Sequence, residues 1–371
     1  MSLPDELMVE ILSRVPVKDL MRFRLVSKSW NSLMFDPNLV KLHLQRSSRD
    51  NPILYTRSDF ARDKPVNCSL QCSSTHRLLQ DPSSAVIVPD GVGVPSYKPM
   101  KYGVIGVCNG LLCLRALSDD YNETWVRFWN PATRLRSEKS PCIRSLYGYV
   151  KMGFGYDDSS STYKVVAVVL AKTKPVKLEM KVHTMGDNCW REIAVGPDFD
   201  FPSNVLQAKG ELLNGSINWA AKFGTSTSSK SYVVLSFDIR NETYTCWPLP
   251  DDVVDGQSEI GVFECCLCLS HDYNREYFGL WQMKEFGVKE SWTLLMKISY
   301  EHFEFRRFGF PHPFCLSANG DVLVLSNYGK FEFIRFTWRD NQVDQVEPFR
   351  NPRKCVFLHS TDYVQSLVLP Y

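Results

Sequence analysis

Two hydrophobic periods divide this chain near residue 45. Before that point apolar residues recur at helical spacing, and beyond it they gather in short runs separated by turn residues. Leu7, Met8, Ile11, Leu12 and Val15 form one helical stripe that stops at Pro16. Ser2 is the predicted N-cap, with Pro4 in the first turn and Asp5 completing a capping-box spacing. A second helix is predicted from about Lys18, carrying Leu20, Phe23, Val26, Trp30, Leu33 and Met34 on one side. Asp36-Pro37 reads as a cap followed by proline at the first helical position, opening a third helix through Leu39, Val40, Leu42 and Leu44. The stripe is wider than three short helices bury among themselves, so a partner polypeptide is expected to cover it. A small helical cap packed on the rest of the chain is the alternative.

After a polar link over 46–51 the strand pattern takes over. One segment shows the unit: strands at 152–156, 163–170, 177–185 and 189–195, joined by turns and one longer loop. Asn109-Gly110, Asn214-Gly215 and Asn319-Gly320 recur where first and second strands meet, a dipeptide that accepts positive φ in a type I′ hairpin. Asp157-Asp158 and Tyr273-Asn274 are assigned the same place in the other units. A late tryptophan recurs at Trp129, Trp190, Trp247, Trp292 and Trp338. Four-strand units of this length predict a β-propeller. Five units fit between about 100 and 348. Two strands before them (53–57 and 66–71) and two after (356–359 and 363–369) are expected to combine as a sixth blade that closes the ring. Seven blades follow if 84–88 belongs to another, and a pair of β-sandwiches is the alternative architecture.

With strands named A to D in each blade, B–C and D–A connections share one face. These are the long, varied ones, and binding residues concentrate on loops held by a rigid scaffold. Tyr121, Tyr147, Tyr149, Phe199, Phe201, Phe223, Phe286 and Tyr328 are therefore the candidate contacts for a bound partner. Packing against a neighbouring blade is the competing role for each.

Two sets of motifs carry a family likeness. Leu3-Pro4, Glu6, Ile11-Leu12, Arg14-Val15-Pro16, Leu20, Arg22-Phe23, Val26-Ser27-Lys28, Trp30 and Pro37 resemble an F-box at nearly every signature position. Cys108-Asn109-Gly110-Leu111-Leu112-Cys113-Leu114, Trp129-Asn130-Pro131-Ala132-Thr133-Arg134, Phe154-Gly155-Tyr156-Asp157 and Tyr163-Lys164-Val165-Val166 resemble the F-box-associated domain of plant F-box proteins, a group with kelch-like and S-locus members. The resemblance implies an α+β multidomain chain: a three-helix F-box over 1–45, a linker over 46–51, and over 52–371 an all-β six-bladed propeller closed by pairing N- and C-terminal strands. It also implies docking on a Skp-type adaptor, and through it on a cullin and a RING protein. Leu3, Pro4, Leu7, Ile11, Leu12, Val15, Pro16 and Leu20 would supply that contact, while Phe23, Val26 and Trp30 are as well suited to the module's own core. The implied role is the substrate-recognition subunit of a ubiquitin ligase, holding a protein target. An F-box scaffold working outside a ligase, and a propeller that binds glycans or small molecules, are the rival readings.

Charge and chemistry narrow the field. Forty-three Lys and Arg stand against forty-one Asp and Glu, a net charge of +2. That balance argues against nucleic acid or an anionic membrane as principal partner. No secretory pattern is expected at the acidic N-terminus, and the apolar run 165–171 is too short to span a bilayer. Cytosol or nucleus is the expected compartment, and the twelve cysteines are expected as reduced thiols. Cys265-Cys266-Leu267-Cys268 with His271, and Cys68 with Cys72, lack the spacing of a zinc site. No phosphate loop, nucleophile elbow or His-Glu-x-x-His motif occurs. Neither catalysis nor a cofactor is expected of the chain itself.

Overall fold

The architecture comes from a computed structural model. It describes residues 4–47, 52–61, 64–74, 102–145, 149–170, 178–194, 204–205, 207, 209–223, 231–253, 256–263, 265–302, 311–316, 322–327, 332–339, 342–350 and 356–371.

The helical part holds four helices rather than the three expected: α1 (Asp5–Leu12), α2 (Val17–Phe23), α3 (Lys28–Leu33) and α4 (Pro37–Arg46). The predicted helix from Lys18 to Met34 breaks at Ser27. There the backbone is extended, and the side-chain oxygen accepts from the Trp30 amide at 3.2 Å. A serine that caps a following helix ends the preceding one. Asp36 caps α4 as expected, accepting from Asn38 and Leu39 at 2.9 and 3.2 Å. Helix α1 begins directly after Pro4 with no side-chain cap; Ser2 lies outside the described residues. Leu12, Val17, Leu20, Met34 and Leu39 form the module's core. Arg46 closes it by binding Ser13 Oγ at 2.6 Å and Glu10 at 2.9 Å, while His43 bonds the Val15 carbonyl at 3.0 Å.

Among the described residues, six antiparallel sheets follow. Tyr102–Cys108, Leu111–Leu117, Glu123–Asn130 and Leu135–Arg136 run in order in the first, with Ile143–Arg144 added on Glu123–Asn130. Val150–Asp157, Thr162–Leu170, Leu178–Thr184 and Arg191–Ile193 make the second. The third holds Asn204–Val205 and Glu211–Leu213, both on Ser216–Phe223, then Ser231–Asp238 and Thr243–Pro248. Gln257–Phe263, Cys266–Tyr273, Tyr277–Met283 and Trp292–Ser299 form the fourth. The fifth is Pro311–Leu316, Val322–Asn327, Glu332–Arg339 and Gln342–Arg350. In the last, Pro52–Ala61 lies between Lys64–Ser74 and Val356–Asp362, so strands from the two ends of the β-region share one sheet.

Two strand expectations are corrected. The first-to-second turn of the fourth sheet lies at Cys265, in left-handed conformation at φ 58°, not at Tyr273-Asn274. The latter pair closes the next hairpin, where Asn274 and Arg275 also have positive φ, so two similar turns within ten residues shifted the assignment by one strand. The second predicted C-terminal strand is absent. Residues 363–371 form no strand, yet Tyr363, Ser366, Leu367 and Val368 are buried.

Apolar layers lie between successive sheets. Ile105, Cys113 and Phe128 of the first meet Met152, Phe154 and Val165 of the second. Val166 and Val182 of the second meet Ile217, Trp219 and Phe237 of the third. Ala220 and Val234 of the third meet Leu267, Leu269 and Trp281 of the fourth. Alternation places successive residues of each strand in opposite layers, so a sheet buried on both faces reads as a continuous apolar run such as Val165–Val169. Polar staples fix the spacing. Lys164 lies buried between Asp157 of its own sheet and Glu242 of the next, 2.9 Å from each, and donates to the Ile239 carbonyl at 3.0 Å. Arg191 binds the same Glu242 in bidentate fashion at 2.8 and 2.9 Å. Gln207 accepts from Ala220 and Ile260, joining third and fourth sheets.

Removing Lys164 leaves buried Asp157 with its Ser159 and Ser160 donors but no cation. Lys164→Ala is expected to cost roughly 3 kcal/mol, the usual result of breaking a buried pair from one side. Urea unfolding checks it; a loss below ~1 kcal/mol removes this staple from the account.

Candidate partner-binding surfaces

Helix α1 has two faces of different fate. Leu12 is buried, and Met8 and Val9 pack partly against the same cluster. Leu7 and Ile11, four residues apart and thus neighbours on the other face, are 50% and 52% exposed. Pro4 and Pro16 at the two ends of this stretch are exposed as well, and Val15 is half-buried. The eight residues assigned to adaptor docking therefore divide. Pro4, Leu7, Ile11 and Pro16 stand on the surface; Leu3 lies outside the described residues. Leu12 and Leu20 are interior, so their placement on a docking face is corrected: they pack on Val17, Met34 and Leu39 and hold the helices together.

The turn between α2 and α3 adds apolar surface that periodicity concealed. Leu25 and Val26 are 80% and 69% exposed, and Val26 is not the core residue expected. Ser27 was the available signal, because its capping role ends α2 and turns the two preceding residues outward. Phe23 and Trp30 do pack together, edge to face with ring centres 5.7 Å apart. Beside the α1 ridge, Glu10 is bound by Arg46 and Arg14 at 2.9 and 3.0 Å, and these hold its carboxyl below the usual range.

The module is mounted on the β-region by the C-terminal segment. Leu367 is fully buried in the helical core beside Leu12 and Leu39, and Ala132 packs there too. Ser47 at the end of α4 donates to the Gln365 carbonyl at 3.3 Å. Asn130 holds the segment, its side-chain amide donating to the carbonyls of Ser366 and Val368 at 2.9 and 2.8 Å. The Asn130 side-chain oxygen accepts from Ala132 and Thr133 and so shapes its own turn. Ser366 Oγ donates to the Asn109 carbonyl at 2.7 Å. Gly110, at φ 80°, leaves the gap this needs, because a Cβ there would collide with Ser366 and the Val364 carbonyl. The Asn-Gly and Trp-Asn-Pro-Ala-Thr motifs thus act on the helical module through this segment.

The long connections provide a second surface. Tyr121 is exposed in the 118–122 connection at φ 59°, within a turn where Asp120 accepts from Ser118 and Asn122. Those bonds, Ser118 first, bring its carboxyl down to about 2. Tyr149 precedes the strand Val150–Asp157, its carbonyl bonded to the Leu170 amide at 3.2 Å and its ring 5.1 Å from the Lys151 ammonium. Phe286 is corrected. It lies between third and fourth strands, at the opposite end of its sheet from the second-to-third connection, and packs edge to face on Trp247 at 5.0 Å. The strand shift in the fourth sheet caused that misplacement. Phe223 ends the strand Ser216–Phe223. Tyr147, Phe199, Phe201 and Tyr328 lie outside the described residues. In the cysteine-rich strand, Cys265 is exposed, Cys268 is buried, and His271 bonds Ser258 Oγ at 2.8 Å.

A small helical module with an open apolar ridge, fixed on a series of antiparallel sheets, matches known sequences over both parts. The profile of the F-box domain matches residues 1–42, and that of the F-box associated beta propeller domain matches residues 76–369. The chain belongs to the F-box-associated β-propeller family. Among its relatives is an F-box/kelch-repeat protein of Arabidopsis thaliana, 31% identical over 80% of this chain and 79% of the relative. The F-box protein CPR1 of the same plant is 27% identical over 99% of this chain and 89% of its own length. A chain in a crystal structure of a nidogen/laminin complex superposes with TM-score 0.43 at 9% identity, covering 85% of this chain and 99% of that one. At that distance the likeness bears on neither activity nor ligand. The family's F-box implies binding of a Skp-type adaptor.

Asn130→Ala removes the donor of two buried carbonyl bonds and one turn cap, at an expected cost of about 2–3 kcal/mol. Asn130→Asp keeps the cap but cannot donate, so it should not rescue. Urea unfolding of both variants decides the point, and wild-type stability in Asn130→Asp contradicts the clamp.

Proposed function

We propose that this protein is the substrate-recognition subunit of a Skp–cullin–F-box ubiquitin ligase. The F-box takes the adaptor on the ridge of Pro4, Leu7, Ile11 and Pro16, with Val15 beside it. The β-region captures a target protein at the end carrying the second-to-third strand connections and the links between sheets. Its six sheets act as six blades of a ring, with the shared N- and C-terminal sheet as the closing one. Catalysis belongs to the assembled ligase, and this chain contributes by raising the target's effective concentration near the transferring enzyme.

The exposure of Leu7 and Ile11 supports this reading most, because both are half open to water on a helix whose other face is already filled. Covering them would contribute roughly 1 kcal/mol each at ~25 cal/mol per Å². An aspartate in their place adds the cost of a charge pressed into an apolar contact.

Leu7→Asp with Ile11→Asp is expected to weaken adaptor binding at least ~100-fold while leaving the melting temperature nearly unchanged. Leu20→Ala should do the reverse, lowering stability by about 2–5 kcal/mol while the folded fraction still binds. Pull-down of co-expressed Skp-type adaptor and cullin, with thermal unfolding of each variant, checks both. Undiminished adaptor capture by the double variant rejects the docking face.

A further inference from the structure

We propose that one face of the first sheet, where Trp125, Arg127, Trp129, Arg136 and Lys139 lie together, binds an extended acidic segment of the captured protein. This rests on the receptor reading above and names the chemistry the target would present.

Trp125, Arg127 and Trp129 occupy alternate positions of the strand Glu123–Asn130, so their side chains share one face. Val126 and Phe128 fill the other, against the second sheet. On the shared face Trp129 packs with Leu112 and Leu114 of the neighbouring strand, whereas Arg127 is exposed. Two more exposed cations come from the chain that returns along this strand. Arg136 pairs with Trp129 in the ladder, its guanidinium 5.1 Å from the ring centre. Lys139 lies over Trp125 at 5.6 Å. Two serines fasten the returning chain in place. Ser137 Oγ accepts from the Phe128 amide at 2.8 Å, and Ser140 Oγ from the Val126 amide at 3.0 Å. Their own amides donate back to the carbonyls of the same two residues. The cations are thus mounted on a rigid support rather than on a free loop.

Arg127, Arg136 and Lys139 form no ion pair among the described residues. Cations of the next two sheets do meet carboxylates of the chain: Lys164, Lys181, Arg191 and Lys209. On the face itself Glu123 is taken by Arg144 at 3.0 Å, and exposed Glu138 binds none of the three cations. Like charges gathered on one face repel, and a partner of opposite sign relieves them. A guanidinium held on a ring still offers its N–H fork to a carboxylate.

The row also sets the form of the partner. Lys139 with Trp125, then Arg127, then Arg136 with Trp129 mark steps of two residues along the strand, about 6.5 Å each. An extended segment turns alternate side chains to one side at the same spacing, so Asp or Glu at every second position meets all three cations. Single-stranded nucleic acid fits less well, because it is held by bases stacking on open aromatic faces. Here Trp129 is 2% exposed, and each of the two rings already carries a cation of the chain.

The full chain, purified with its Skp-type adaptor, would be titrated with four labelled probes. They are a short peptide with glutamate at every second position, the same peptide with glutamine, one with the same glutamates in a single block, and oligo-thymidylate. Saturable binding that weakens with salt is expected for the alternating peptide, with none for the glutamine peptide and weaker binding for the block. Arg127→Ala and Arg136→Ala should each weaken it about threefold or more, and Arg127→Glu with Arg136→Glu should abolish it. Melting temperatures should stay near wild type, since both side chains are exposed. Arg240→Ala, at an exposed cation of the third sheet, should leave binding unchanged. Equal binding of the glutamine or block peptide overturns the proposal, as does undiminished binding by the double reversal. Tighter binding of oligo-thymidylate overturns the assignment to a protein segment. Adaptor retention, scored in parallel, separates the two claims. Its absence from wild type defeats the receptor reading, whereas failed peptide binding with the adaptor in place defeats this face alone.

Discussion

Asn130 holding the segment around Ser366 is the contact on which the arrangement of this protein depends. It joins three things distant in sequence: a turn of the first sheet, the C-terminal segment, and, through Leu367, the core of the F-box. Four short helices offer few residues for a core of their own. Here they complete it with a leucine from the β-region, so the F-box is seated rather than merely tethered. Gly110 is part of the same device, since only a residue without Cβ leaves room for Ser366.

This seating alters what the apolar residues of the F-box are for. The stripe read from periodicity serves two needs. Leu12 and Leu20 face inward and are satisfied within the chain, whereas Leu7, Ile11, Leu25 and Val26 remain on the surface. An adaptor gripping the open ridge would be held in a defined orientation to the loop-bearing end of the sheets. A fixed geometry of this kind concentrates a captured target near the transferring enzyme more effectively than a loose linker of the same span.

Much of this was legible from residue patterns. Asn109-Gly110 and Asn214-Gly215 mark first hairpins, Asn319-Gly320 lies outside the described residues, the described strands of the unit around 150–195 follow the apolar pattern, and Asp36-Pro37 marks the start of α4. The failures have physical causes. Apolar spacing says which residues avoid water but not whether they find cover inside the chain, so spacing alone groups Leu12 and Leu20 with Leu7 and Ile11. One serine side chain outweighed a continuous helical pattern at Ser27. Two left-handed turns close together, at Cys265 and at Asn274–Arg275, made the fourth unit ambiguous by one strand and carried Phe286 to the wrong end. The C-terminal segment is strand-like in composition but spends its polar groups on Asn130 and Asn109 rather than on a strand ladder.

The seating of the F-box on the β-region is tested most directly by native-state hydrogen exchange on the whole protein. If the two parts are one cooperative body, the slowest amides of Pro37–Arg46 exchange with the same opening free energy as those of Leu111–Leu117, and Asn130→Ala lowers that of the helix first. Fast exchange throughout α4, while the strand amides of the wild-type protein stay fully protected, would show an independently opening F-box and contradict this account.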